Sequence, residues 1–160
     1  MSFLEKHQRN VDLTAFDGKI PVHYRYTLGL AGDKFFTAIK KDGKFVGTHC
    51  EECDVIYSPP SVYCERCFAS LEDSWVELPS TGTVVAFTVV TEDDQGKELD
   101  CPQVIAAIQL DGADNTFVHR ICDCCIEDLA IGAHVQAVFK PKKERKGTLD
   151  DIEYFEIAAE

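Results

Sequence analysis

Cys50-Glu51-Glu52-Cys53 and Cys64-Glu65-Arg66-Cys67 repeat one spacing, with ten residues between them. Two C-x2-C pairs this close bring four thiolates together as a closed tetrahedral zinc site requires. Each tight turn lets two sulfurs reach one ion, and the second turn completes the coordination. A disulfide or a thioredoxin-like redox pair needs one such motif, not two in tandem. The gap is short for a finger but suits a zinc ribbon, in which a hairpin carries each knuckle. Cys50, Cys53, Cys64 and Cys67 are therefore expected to hold one structural Zn2+.

Working outward, Lys44 to His49 reads as a strand entering the first knuckle. Val55 to Pro60 reads as its return, stopped by the double proline. The ribbon is expected over residues 44–70. Upstream, Asp33 is a plausible N-cap, and Phe35, Phe36 and Ile39 fall on one helical face opposite Lys34, Lys40 and Lys41. Gly43 ends that helix, and Tyr26 to Gly32 suggests a second short one. The Phe35, Phe36 and Ile39 face could dock on a partner or pack on the chain's own ribbon. Residues 1–25 read either as an extended arm or as a disordered tail, so that 1–43 forms an arm and helical segment.

Downstream, over 71–160, the period becomes that of β structure. Strands are expected at Thr83–Thr91, Val104–Leu110, Thr116–Ile121, His134–Lys140 and Ile152–Ile157, with one or two helical turns at Ile126–Ile131. Five strands with a short helix between the third and fourth is the element order of an OB-fold barrel. The fold class is thus mainly β: an N-terminal helical segment, a zinc ribbon and a five-stranded OB barrel.

The chain has 160 residues, a formal net charge of -12 and 45% hydrophobic residues. That charge weighs against a nucleic-acid binder, whose affinity comes from Lys and Arg on phosphates. No run of apolar residues is long enough to span a membrane, and the charged N-terminus does not resemble a signal peptide. A cytoplasmic protein is expected.

Four more thiols, Cys101, Cys122, Cys124 and Cys125, read by default as structural, a second metal site being the sharper alternative. His119-Arg120 on the third barrel strand could present a donor pair at a groove. Lys140, Lys142, Lys143, Arg145 and Lys146 form one basic cluster in an acidic chain. It is either a solvated loop or a docking point for a polyanion such as the phosphates of coenzyme A. No nucleophile elbow, phosphate-cradling glycine loop or carboxylate pair suggests catalysis.

Taken together, Phe35-Phe36-Thr37-Ala38-Ile39-Lys40, Gly43 to Cys50, Cys53, Tyr57-Ser58-Pro59-Pro60 and Cys64 to Cys67 resemble a known family. The likeness continues through Trp75, Thr83–Thr91, Leu110-Asp111-Gly112, His119-Arg120, Glu127 to Gly132, Phe139 to Lys142 and Ile152 to Phe155. The family is that of the zinc-ribbon/OB-fold acyl-CoA-associated proteins, long known only as a domain of unknown function. The resemblance implies a helical segment, a rubredoxin-like ribbon and an OB fold. It implies a non-catalytic subunit beside a catalytic partner (a thiolase or thiolase-like condensing enzyme, a lipid-transfer-type aldolase or a hydratase), and with the thiolase-like partner an acyl-CoA site for CoA-dependent cleavage of a β-ketoacyl-CoA. A free-standing OB module that binds CoA esters, or single-stranded nucleic acid, is the competing reading. Many relatives carry Gly where this chain has Asp54, which also accepts turn conformations. The Cys122–Cys125 cluster has no counterpart in them.

Overall fold

Gly43 stops the first element where a left-handed residue is needed. In a computed structural model its φ is 64° and its N–H donates to Ala38 O and Ile39 O, closing helix α1, Gly29–Asp42. The structure describes residues 23, 25–93, 95–121 and 129–158. Most of the expected arm, the helical turns from Ile126 to Asp128, and Cys122, Cys124 and Cys125 lie outside them.

Helix α1 begins at Gly29 without a side-chain cap, so Asp33 lies inside the helix and the two expected helices are one. An apolar run with tertiary packing beneath it carries the helix past a plausible polar cap. Phe35 and Ile39 are 1% and 0% exposed and Phe36 packs partly buried beside them, all within the chain's own core. The partner-docking reading of this face is thus corrected for Phe35 and Ile39, which are already covered, while Phe36 stays partly exposed. Apolar surface near the helix start is instead exposed at Leu28 and Leu30.

Three strands form the ribbon sheet in the order β2-β1-β3: β1 is Phe45–Cys50, β2 Val55–Tyr57 and β3 Trp75–Leu78. Strand β3, which lies beyond the second knuckle, pairs antiparallel with β1 from Phe45↔Leu78 to Thr48↔Trp75. The open edge of β2 is satisfied by the other module. Ile56 N donates to Asp114 Oδ2 at 2.8 Å, Asp114 N to Ile56 O at 2.8 Å, and Ser58 N to Asn115 Oδ1 at 2.7 Å.

The remaining strands are β4 (Thr81–Glu92), β5 (Glu98–Leu110), β6 (Thr116–Ile121), β7 (His134–Phe139) and β8 (Ile152–Ile157). They close into a barrel in the order β4-β5-β6-β8-β7, the connectivity of an OB fold. The β4–β5 hairpin runs longer than the sequence pattern suggests, with a register shift between Val84 and Ala86. Beyond it, Phe87 and Val89 remain partly exposed, which blurs the alternation on which strand ends are judged. No helix among the described residues is long and apolar enough to cross a membrane.

Helix, ribbon and barrel share one apolar cluster. Phe45 of β1 is fully buried, its ring centroid 6.1 Å from Phe35, 6.0 Å from Phe117, 5.3 Å from Phe139 and 6.3 Å from Phe155. One side chain thus joins the helix to three barrel strands. Phe45→Ala should cost about 3–5 kcal/mol. Denaturant unfolding followed by ribbon and barrel probes should keep one shared midpoint, shifted down together.

A second buried group organises the loop from Lys140 to Asp151. The Asp151 carboxylate accepts Lys146 N–H at 2.8 Å, Gly147 N–H at 2.6 Å and Thr148 N–H at 3.4 Å. Burial opposes its charge, but these amides and the nearby Lys140 outweigh burial and hold the carboxyl below its ordinary value. A depressed carboxyl contributes stability above the unfolded carboxylate range and loses it as pH falls through the folded value. Asp151→Asn should cost about 1–3 kcal/mol at neutral pH. Denaturant titrations below pH 4 should show that gap closing.

Candidate metal centre and barrel cleft

The ribbon builds its knuckles from strand ends. Cys50 closes β1 and pairs with Val55 at the start of β2, so Cys53 lies in the tight turn between them. In the second knuckle, Tyr63 bridges Ser70, Cys64 N donates to Ala69 O at 2.9 Å, and Phe68 N donates to Cys64 O at 3.0 Å. These bonds close the second knuckle, and all four Sγ atoms of the two C-x2-C motifs lie within 4.8 Å of one another. Cys50 Sγ and Cys67 Sγ are 3.5 Å apart. Tetrahedral Zn–S bonds of about 2.3 Å place sulfurs about 3.8 Å apart, inside that range.

The donor chemistry fits a cation equally well. The Tyr57 hydroxyl, 3.5 Å from Cys64 Sγ, draws that thiol down to about 6, helped by backbone amides including Arg66 N–H at 3.4 Å. The Ala69 amide favours the Cys67 thiolate, but burial and the thiols of Cys50, Cys64 and Cys53 push it up to about 12. One thiolate therefore opposes the next, and a divalent ion relieves that opposition. The four cysteines fit Zn2+, with every position filled by protein and none left for substrate.

Tyr57 is the residue sequence reasoning missed at this site. It accepts Glu65 N–H at 3.3 Å through the oxygen that meets Cys64. Hydrogen bonding to Cys64, and then burial, pushes its own hydroxyl up to about 12, so it stays a donor. Its position two residues into β2 carries no spacing signal, because it acts on a ligand and not on the ion. His49, beside Cys50, pairs with Asp54 Oδ1 at 3.0 Å and lies outside the ligand set.

On the barrel, a cleft of about 490 Å3 is lined by His119, Arg120, Lys140, Leu149, Asp150 and Ile152. It brings together three of the five residues expected to face a ligand. Lys142 and Lys143 are exposed on the adjoining loop, outside that lining. Burial lowers the His119 imidazole below its ordinary value, so it stays neutral at pH 7 beside Phe117 and Phe155. Arg120, which lines the cleft, is held in place by the bond its Nε donates to Glu153 O. Arg145 of the same basic cluster is used structurally. Its Nε donates to Lys140 O at 2.6 Å and its Nη1 to Ile39 O at 3.4 Å, capping α1 at Gly43. Leu149, Asp150 and Ile152 carry no ligand signal in sequence; the loop held by Asp151 brings them there.

A four-cysteine ribbon packed on a closed five-stranded barrel defines the class, a zinc-ribbon/OB-fold protein. Residues 37–72 match the family described as ChsH2, rubredoxin-like zinc ribbon domain, and residues 75–140 match ChsH2, C-terminal OB-fold domain. A DUF35 domain-containing scaffold protein of Methanocaldococcus jannaschii is 36% identical over 107 residues, 66% of this chain and 74% of that protein. One from Methanothermobacter thermautotrophicus is 27% identical over 100 residues, 61% of this chain and 73% of that protein. The chain belongs to the DUF35 family. A Sulfolobus solfataricus DUF35 protein of unknown function shares the fold at a TM-score of 0.64 and 24% identity, over 81% of this chain and 87% of that one. The Ltp2-ChsH2(DUF35) aldolase structure shares it at 0.57 and 20%, over 79% and 93%.

Tyr57→Phe should keep the fold but weaken zinc about 10–100-fold, read by chelator competition. Cys64→Ser should abolish stoichiometric zinc and lower the thermal midpoint, whereas native protein should carry one zinc per chain by elemental analysis.

Proposed function

We propose that this chain is the zinc-stabilised, non-catalytic subunit of a hetero-oligomeric complex acting on acyl-CoA. The observation that carries the reading is the cleft, where Arg120 and Lys140 meet on an otherwise acidic protein. Two cations against the one carboxylate of Asp150, over apolar walls from Leu149 and Ile152, suit a ligand with phosphates at one end and a slender, less polar arm, as coenzyme A has. Neutral His119 adds a donor or acceptor without adding charge. Lys142 and Lys143, further along the loop, would attract the polyanion as it approaches.

The relatives' description as scaffold proteins and the aldolase assembly among the structural neighbours support a subunit role. The sequence resemblance favours a thiolase-like partner that supplies the catalytic cysteine and histidines. The partner's reaction would be cleavage of a β-ketoacyl-CoA, in which the thiol of free CoA takes the acyl group and the remaining fragment leaves as its own CoA ester. Within that class the likeness is to the small zinc-finger subunit of benzoylsuccinyl-CoA thiolase, which makes 2-benzoylsuccinyl-CoA in anaerobic toluene degradation the specific substrate proposed. The cytoplasm is the matching compartment, because reducing conditions keep four thiols available to zinc.

Arg120→Ala with Lys140→Ala should weaken coenzyme A at least tenfold in calorimetry on the chain with its companion, with zinc content unchanged. Pantetheine, which lacks the phosphates, should be indifferent to the pair. Equal CoA affinity in the double variant would remove the cleft from the site. Isolation of a lone chain that still binds CoA would favour the free-standing module.

A further inference from the structure

Each knuckle turns the chain back through a left-handed residue directly after its second cysteine, Asp54 at φ 50° and Phe68 at φ 62°. Asp54 suits the position, because a short polar side chain tolerates it and its carboxylate holds His49. Phe68 does not suit it: a bulky residue there crowds its Cβ against the backbone, and glycine would make the same turn freely.

Packing normally offsets such a cost, yet the Phe68 side chain stands 78% exposed. It belongs to neither apolar cluster, and among the described residues its ring joins no aromatic or cation contact. Strain and exposed apolar area coincide at one residue, and among the described residues no side-chain packing on the Phe68 ring offsets either. Observed strain of this kind points toward function. Tyr63, on the other side of the same knuckle where it bridges Ser70, is also 57% exposed.

The surroundings specify what would cover these rings. Glu51, Glu52, Asp54 and Glu65 are exposed on the two knuckles, and Arg66 is their one cation. A zinc ion held by four thiolates adds a double negative charge. Phosphates of nucleic acid or of a membrane surface are repelled here, and a second copy would set one acidic rim against another.

We propose that Phe68, flanked by Tyr63, is an anchor that inserts into an apolar pocket rimmed by Lys and Arg on a protein partner. Resting on the subunit reading above, that partner is the catalytic subunit. The aromatic ring supplies the buried contact at the centre, and the acidic rim sets approach and orientation.

The experiment separates the companion isolated with wild-type chain and recombines it with variants at matched zinc content. Phe68→Gly should keep or raise the thermal midpoint of the free chain while weakening association at least tenfold. Glu51→Gln with Glu52→Gln should slow association and flatten its salt dependence, with the dissociation rate little changed. A companion bound equally by Phe68→Gly overturns the anchor and leaves the subunit role standing. A fall in the midpoint of Phe68→Gly also overturns it, since the ring would then serve the fold. A chain that isolates alone at low salt overturns both readings.

Discussion

Four thiols within 4.8 Å of one another are difficult to ionise together without a cation, and the N-terminal half of the chain depends on that constraint. The ribbon's own buried cluster is Cys50, Val55, Tyr57, Cys64 and Leu71, so two of its five members are zinc ligands. A module this small has too little apolar area to fold unaided, and metal binding becomes folding energy. Strand β1 then carries the consequence across the molecule. It holds Cys50 at one end and Phe45 at the other, a separation of about 17 Å along the strand. Fixing the sulfur end aims the aromatic end into the barrel, where helix α1 and three barrel strands close around it.

Charge is divided in a similarly economical way. The basic loop looks uniform in sequence, but its members do different things. Arg145 is spent on the last carbonyls of α1 and on the Lys140 carbonyl, and Asp151 gathers three amides to shape the loop. Lys140 lines the cleft together with Arg120 of β6, while Lys142 and Lys143 stay exposed on the adjoining loop. The proposed ligand face is therefore a product of loop architecture and not of net basicity, on a chain whose overall charge is strongly negative.

Much of this was readable because it is local. The knuckle spacing, the Gly43 stop and the five barrel strands are set by neighbours in sequence, and all appear at or near their expected places. What escaped reading is long-range. Amphipathicity shows that Phe35 and Ile39 must be covered but not by what; Phe45 and Phe117 pack against Phe35, and Ile39 joins the same buried cluster. Trp75–Leu78 looks like a lead into the barrel, yet it completes the ribbon sheet because β1 needs a partner on its second edge. Asp114 and Asn115 look like ordinary turn residues, and their bonds to Ile56 and Ser58 lie more than fifty positions away. Tyr57 and the lining residues Leu149, Asp150 and Ile152 were invisible because their roles depend on placement and not on residue type.

The barrel's circle is uneven. Strands β4, β5, β6 and β7 are each joined to an antiparallel neighbour over several residue pairs, while β6 meets β8 in parallel, through Ile121 and Phe155 among the described residues. His119 and Arg120 lie on β6 and Ile152 begins β8, so the cleft straddles the parallel join between those two strands. A molecule lodged there would touch both strands at once, so that filling the cleft would also brace the join.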